Sequence, residues 1–559
     1  MDYISTGAQI HEYSIMRFFL IIYIFLFSSS LYCQKKDFKN YDKAFKYFKK
    51  NNLDKSKEIL IKIIERNNSW DKPYLLLSNI YFIENDIFKS SELLLEIYDV
   101  SNIDDYEGIE KVANNFYKKG FYSEALYYYN AVCKLDSSFC NSKIIRFIKS
   151  CKFSINSINN PVVFNPVNLG DNINSNMSEI GPAISSDDNK IIFTRRVEDG
   201  DSKPQEDFYY SNKVNGEWQK ALPFPSPLNT SGNEGALSFS SDQSLLIYTA
   251  CNRSDGFGSC DLYYGYNDIN NLNFVNLGKD INSKYWDSQA CFSSDRKYIY
   301  FVSNRPGGYG GTDIWISEIK NDGFSKPVNA GPEINTEKDE MSPFIHPDNL
   351  NLYFASNGHV GLGDFDLFLS KRNDVNDSWN SPVNLGYPIN NHLNQNSLVV
   401  SSNGVTAYYA STNDGYGLDD IFYFDLPEIF KANKLNQIEL EIIQSKAGEE
   451  IILKNVLFSS NSYDLISDSL FELDQLADYI IKYDINILIE GHTDSIGNSN
   501  SNLILSENRA QSVYDYLVSK SVKNHQISFK GFGDKVPIST NNTELGRSLN
   551  RRTSFRVVD

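Results

Sequence analysis

Positive charge is what this sequence is short of: 53 Lys and Arg stand against 71 Asp and Glu, a formal net charge of −18 over 559 residues. Phosphate recognition leaves a basic footprint, so a nucleic-acid partner is excluded, while the anionic surplus favours solubility. Histidine is scarce too. Its six residues are scattered and nothing has metal-ligand spacing, so no metal and no cofactor is expected. Past residue 33 no apolar run is long enough for a membrane helix, so none is expected in the mature chain. At this length one core is too few, and three or four domains are expected.

The one long apolar run lies in MRFFLIIYIFLFSSSLYC, residues 16–33. One Arg, an apolar stretch from Phe18 to Phe27 and then small residues Ser28 to Ser30 make an export signal, with Met16 as an alternative start. Residues 1–33 are therefore read as leader and signal peptide, and the mature protein as periplasmic, associated with the cell wall and outer membrane. Cys33 is an alternative lipidation site, although the bulky Tyr32 before it departs from the small residues such cleavage favours. Six of the seven cysteines remain after cleavage, an even number in an oxidising compartment. Cys251 and Cys260 bracket a Gly-containing loop between two strand-like runs and are the disulfide candidate. Cys133, Cys140 and Cys151 lie in helical sequence and Cys291 in a strand, where buried thiols are expected.

Residues 34–155 have almost no Gly or Pro and apolar spacings of three and four, which predicts helices. The turn positions Asn52, Asp86 and Gly120 are 34 residues apart, the length of a stacked helix pair. The segment KKGFYSEALYYYNAV, 118–132, resembles the second helix of a tetratricopeptide repeat, with its small residue at Ala125; the other copies carry Lys57 and Ser91 there. Such arrays bind partners in a groove, or serve as a spacer.

Across 156–427 the composition turns to Gly, Asn, Ser, Asp, Tyr and Phe. SSDDNKIIF, SSDQSLLIY, SSDRKYIYF, HPDNLNLYF and SSNGVTAYY, aligned on Asp187, Asp242, Asp295, Asp348 and Asn403, step by 55, 53, 53 and 55 residues. Each unit predicts short strands around a Gly-rich loop, which is the pattern of a propeller blade. The fifth unit lacks its PVNLG segment and an extra NPVNLGDNIN stands at 165–174, so the early strand is expected to complete the last blade. The region resembles the Trp-Asp-like repeats of periplasmic β-propeller proteins. Five blades are expected, with six as the alternative. Acidic loops such as 413–420 suit either a calcium ion or a plain Gly-Asp turn. No nucleophile and base recur together, so no enzyme is expected.

A charged connection, 428–450, leads to residues 451–559, which predict strand, helix, strand, helix, strand, strand: an α+β sandwich. The whole is a multidomain chain, all-α repeats, then an all-β five-bladed propeller, then the sandwich. Its candidate site is EGHTDSIGNSNSNLILSENRA, 490–510. A carboxylate at Asp494 attracts an ammonium, and Arg509 grips a carboxylate through two parallel hydrogen bonds. Asn502, Ser506 and Arg509 fall on one stripe of the following helix. Together they fit a ligand carrying amine and carboxylate on one carbon. His492 and Gly497 are read as support for the loop, and Arg551 and Arg552 either reach the ligand or only charge a strand end.

GHTDSIG, NLILSENRA and LNRRTSFRV closely resemble the signature of the OmpA-like C-terminal domain. The resemblance implies binding of the meso-diaminopimelate of peptidoglycan stem peptides, with Asp494 and Arg509 as the ligand-holding pair and Asn502, Thr493, Ser506 and Arg552 as further site residues. The domain order is also similar to that of peptidoglycan-anchoring lipoproteins of the type nine secretion and gliding machinery, apart from a separate small sandwich domain that is absent before residue 451. The expected function is a non-enzymatic envelope scaffold, held to peptidoglycan and presenting its helical repeats and propeller to other envelope proteins. The alternative is a propeller enzyme or a sensor of a small ligand or ion, merely localised to the wall.

Overall fold

The computed structural model describes residues 36–558 except 186–187, 198–204, 241–244, 267–272, 294–296, 321–322, 374–376, 413–414, 433–447, 449 and several positions between 454 and 468. The leader at 1–33, with Met16 and Cys33, the turn residues Asp187, Asp242 and Asp295, and most of the 428–450 connection lie outside the described residues. The chain divides into two compact units, Met1–Ile155 and Asn156–Asp559. Among the described residues no helix is long and apolar enough to cross a membrane.

In the first unit, residues 36–49 are helical, followed by Leu53–Ile64, Asp71–Ile83, Ile87–Leu95, Tyr106–Lys118 and Tyr122–Leu135, and consecutive helices pack together. Asn52 and Asp86 are side-chain N-caps, accepting from Lys55 N and Lys89 N, which is why the period is marked by Asn and Asp. The third N-cap position is Phe121, one residue past Gly120. Gly120 instead matches Asn51 and Asn85, all three in the left-handed region. This offset corrects the comparison of Ala125 with Lys57 and Ser91: the equivalent positions are Ser56 and Ser90, both fully buried like Ala125. Small side chains let the helices meet, and Ser56 Oγ donates to Ala44 O at 2.9 Å across the contact. Cys133 and Cys140, expected as thiols, form a disulfide. The helix ends at Leu135, and the 3-10 turn Ser137–Phe139 brings the two Cα atoms to 4.7 Å. Cys151 and Cys291 are free and buried.

In the second unit, five antiparallel sheets of four or five strands follow one another. Their first strands are Ser178–Ile184, Glu234–Phe239, Asp287–Phe292, Glu340–Ile345 and Leu398–Val400. Val167–Asn168 pairs with Asp420–Asp425 of the fifth sheet, Val167 opposite Tyr423 and Asn168 opposite Phe422. Val328–Asn329 and Val383–Asn384 take the same place in the third and fourth sheets. Cys251 and Cys260 face each other across the second sheet and are bonded.

Buried polar residues recur with the repeat. Asp261, Asp313, Asp366 and Asp420 each accept the backbone N–H groups of their Gly loop, as Asp313 does from Tyr309 at 2.7 Å and Gly310 at 3.3 Å. Those loops use their carboxylates to fix a turn. A second row comprises Glu179, Glu234, Asp287 and Glu340, with Gln395 fifth. Arg195, Arg253 and Arg305 pair with the first three, at 2.6, 3.0 and 2.5 Å. Each of these arginines also donates to a main-chain carbonyl, Ile173, Leu228 or Ile281. In the fourth sheet no arginine follows. His359 Nε2 lies 2.8 Å from the matching Ile334 carbonyl, and Ser356 donates to Glu340 at 2.6 Å.

Candidate functional site

The C-terminal sheet has the order Ile451–Leu453, Thr553–Val558, Asn486–His492, Ile527–Gly533, the last two parallel and the other pairs antiparallel. Helices Ser469–Tyr483 and Ser499–Ser519 supply Leu473, Leu476, Ile480, Ala510, Val513 and Leu517 to a core closed by Ile487, Ile489 and Phe555. Ile487 and Ile489 face this core and are fully buried, while Asn486 and Leu488 between them are only half-buried.

The helix Ser499–Ser519 lies directly on the strand ends because the strands carry glycine where it crosses. A Cβ on Gly491 would collide with the Ser506 carbonyl oxygen, and one on Gly531 would come within 2.5 Å of Glu507 N. Both obstacles are backbone, so neither yields by a rotamer change. Gly491→Ala is expected to destabilise this domain by about 1–3 kcal/mol, read as a lowered melting transition, and to weaken wall binding with it.

Asp494 follows the strand directly. Its Oδ1 accepts from Ile496 N at 2.9 Å and its Oδ2 from Arg551 at 2.6 Å. Arg551 also donates to Glu544 at 2.8 Å. Burial alone would lower the Arg551 pKa, but the hydrogen bonds to Asp494 and Glu544 outweigh it, and the group is raised. Arg509 enters from the helix, half-buried, with Nε donating to Ser462 O at 3.0 Å and the guanidinium 5.1 Å from the Phe458 ring centre. Burial first, then the charge of Arg551, pulls its pKa down to about 10, against the opposing pull of Asp494. It stays cationic at neutral pH. Its terminal nitrogens have no hydrogen-bond partner among the described residues, and no ion pair joins it to Asp494. The site thus holds one carboxylate already shared with Arg551 and one cation without a counter-ion among the described residues.

The remaining sequence-derived residues divide into two groups. Asn502 and Ser506 are buried and shape the loop: Asn502 Nδ2 donates to the carbonyls of Asp494 and Ile496, both at 3.1 Å, and Ser506 Oγ accepts from Gly533 N at 2.9 Å. Thr493 N donates to Gly533 O, while its hydroxyl is buried without a partner among the described residues. The adjacent arginines separate. Arg551 reaches Asp494, whereas Arg552, placed in the site by the sequence, is buried on Glu450 at 2.8 Å, with a second bond to Val536 O. The physical reason is that Arg551 caps the end of the helix Glu544–Asn550, whereas Arg552 lies in the connection to the strand Thr553–Val558. Glu544 was missed altogether: it begins the short helix Glu544–Asn550, absent from the sequence-based element order, with Thr543 as its N-cap.

His492 lies beside this second cluster, stacked on Phe532 at 5.3 Å. Burial, helped by Arg552 and opposed by Glu450, lowers its pKa to about 4, so the ring is neutral at pH 7. Glu450, Glu490 and His492 are close enough together to hold a metal ion. Arg552 and Arg556 already sit on both carboxylates, Arg556 at 2.9 Å from Glu490, so the charge is balanced without a cation.

Residues 457–551 match the OmpA family. Outer membrane protein A of Bordetella avium is 44% identical over 87 residues, 15% of this chain and 45% of that protein. The peptidoglycan-associated lipoprotein of Buchnera aphidicola is 37% identical over 99 residues, 18% of this chain and 57% of that protein. This chain therefore spans about half the length of these curated relatives, and the similarity concerns its C-terminal part. Among solved structures, the peptidoglycan-associated lipoprotein from Burkholderia pseudomallei is 27% identical, covering 20% of this chain and 89% of that one, with a TM-score of 0.18.

Proposed function

We propose that the chain is an exported, non-enzymatic anchor that holds peptidoglycan through the meso-diaminopimelate of its stem peptides. The observation that carries this is the pairing of an unbalanced, half-buried Arg509 with Asp494 in one mouth of an OmpA-like domain. The amine of the ligand sits at Asp494 and the carboxylate on Arg509, which forms a two-bond fork. Thr493 Oγ1 supplies a third polar contact. Arg551 and Glu544 keep the Asp494 carboxylate oriented, and Asn502 and Ser506 hold the loop.

A single exposed ion pair is worth roughly 0–1 kcal/mol, so affinity for one stem peptide depends on how far the site excludes water. A polymer offering many stem peptides raises retention through local concentration. That suits an anchor. In the same proposal the five sheets form a five-bladed propeller completed by Val167–Asn168, the helical unit is a tetratricopeptide-like array, and both present surfaces to envelope proteins, including those of a secretion or gliding machinery. The domains are taken as 34–155, 156–427 and 451–559. Support comes from the cyclic adjacency of the first strands, in which Leu398–Val400 again adjoins Ser178–Ile184.

Co-sedimentation of the full-length protein with purified peptidoglycan tests the anchor. The Asp494→Ala, Arg509→Ala double variant is expected to stay in the supernatant while still melting cooperatively, at a temperature lowered by loss of the Asp494–Arg551 pair. Retention of the double variant in the pellet would overturn the proposal.

A further inference from the structure

The first strands of the five sheets together line a cavity of about 120 Å³. Among the described residues no lining side chain is charged. An ionised ligand would lose hydration there without gaining a counter-charge. Four of the strands bulge at the same repeat position, and the bulge residues Gly181, Ala236, Gln289 and Ser342 all have φ between 50° and 57°. Glycine adopts that conformation freely; Ala, Gln and Ser do so at a cost, and bulges of this kind re-aim side chains. Ser397 occupies the equivalent place in the fifth sheet.

Two polar groups in the lining lack partners. Gln289 Oε1 accepts from Ser342 N at 2.8 Å, which fixes the orientation of the amide. Its Nε2 therefore presents two N–H donors with no acceptor among the described residues. Ser397 Oγ is shielded from solvent and has no hydrogen-bond partner among the described residues. A ligand that satisfies Gln289 is neutral and brings a carbonyl or hydroxyl oxygen to it.

We propose that this cavity binds a single neutral N-acetylated sugar unit of a saccharide. Its acetamido carbonyl accepts from Gln289 Nε2, its hydroxyls exchange hydrogen bonds with Ser342, and its C–H faces rest on the apolar lining that includes Phe239 and Phe344. The preference for a sugar over a neutral peptide rests on the wall-anchoring proposal, since that sets the cavity beside a polymer of N-acetylated sugars.

Calorimetric titration of the full-length protein with N,N′-diacetylchitobiose tests it, with the deacetylated, cationic disaccharide as control. The acetylated sugar is expected to bind and the cationic one to show no heat. Gln289→Glu keeps the acceptor for Ser342 N but removes both donors, and is expected to weaken binding about tenfold; Ser397→Leu, which narrows the cavity, does at least as much. The Asp494→Ala, Arg509→Ala protein retains the heat, so failure of the wall site and failure of the cavity are told apart. Absence of heat with the acetylated sugar at millimolar concentration, undiminished binding by Gln289→Glu, or equal binding of a neutral blocked tripeptide would each overturn the proposal.

Discussion

Arg509→Ala is expected to lower the affinity for a diaminopimelate-containing stem peptide by about 30-fold to 4,000-fold, the loss of about 2–5 kcal/mol typical of truncating one partner of a shielded, hydrogen-bonded charge pair. The fold leaves this guanidinium half-buried, with one hydrogen bond to Ser462 and an aromatic face at Phe458 in place of a counter-ion. Burial first, then Arg551, pulls its pKa down to about 10, so the protein's own described groups compensate the cation poorly. An incoming carboxylate relieves that deficit, so ligand affinity draws on stability the free protein forgoes. The same logic fixes the sign of the stability change. Removing Arg509 deletes an uncompensated charge, so the melting transition of Arg509→Ala is expected to stay level or rise while binding collapses. A purely structural arginine would lower both. Arg509→Lys keeps the charge but loses the two-bond fork, and an intermediate loss is expected. Titration of the stem peptide into wild type and both variants, with melting curves alongside, checks all three expectations.

The second large effect lies in the fourth sheet. Glu340 is fully buried and, without the arginine its counterparts possess, its pKa is pushed up to about 7, by burial first, against the hydrogen bonds from Ser356 and Thr336 and with Asp313 adding to the rise. Asp366 beside the Gly loop is likewise pushed up to about 7 by burial, against bonds from Leu362, Asn384 and Gly363. A carboxyl whose folded pKa exceeds its unfolded value binds its proton more tightly in the fold. Its contribution is therefore complete below the ordinary carboxyl range and is lost as pH rises through about 7. At one pKa unit per about 1.4 kcal/mol, Glu340 alone costs up to about 3 kcal/mol at pH 8.5 relative to pH 4.5.

Glu340→Gln removes that cost. The amide can accept from Thr336 N and donate to Thr336 Oγ1, as Gln395 does with Asn391 in the fifth sheet. Thermal melts at pH 5.5 and 8.5 are expected to show wild type losing stability towards high pH, the variant more stable than wild type at pH 8.5, and about half of the pH slope remaining because of Asp366. A variant less stable than wild type at pH 8.5 would contradict this account.

The repeat and the site were legible in different degrees, for physical reasons. The repeat is legible at the turn before each apolar strand, because Asp348 and Asn403 there accept from the same two backbone positions, Leu350 N and Asn351 N in one copy and Val405 N and Thr406 N in the other. The arginine partners of the second row were not picked out. Each lies 16 to 19 residues beyond its acid, at Arg195, Arg253 and Arg305, and the spacing shifts with the intervening turn. In the helical unit, a one-residue offset at Gly120 hid the small buried row of Ser56, Ser90 and Ala125. At the C-terminal site Asp494 and Arg509 stood out because a strand end, loop and helix bring them together. Glu544 and the role of Arg551 did not, because a helix of seven residues is too short to show apolar periodicity. Cys133 and Cys140 looked helical, and only the turn at Ser137–Phe139 places them within bonding reach.

The central claim is that a zwitterion is held at both ends. Its most direct test is calorimetric titration of the full-length protein with two synthetic stem peptides that differ only at the third residue, meso-diaminopimelate in one and lysine in the other. Both keep the terminal ammonium for Asp494, but only the first keeps the carboxylate for Arg509. The account predicts that the diaminopimelate peptide binds at least about 30-fold more tightly, and that Arg509→Ala erases this difference. Equal affinity of the wild-type protein for the two peptides would contradict it.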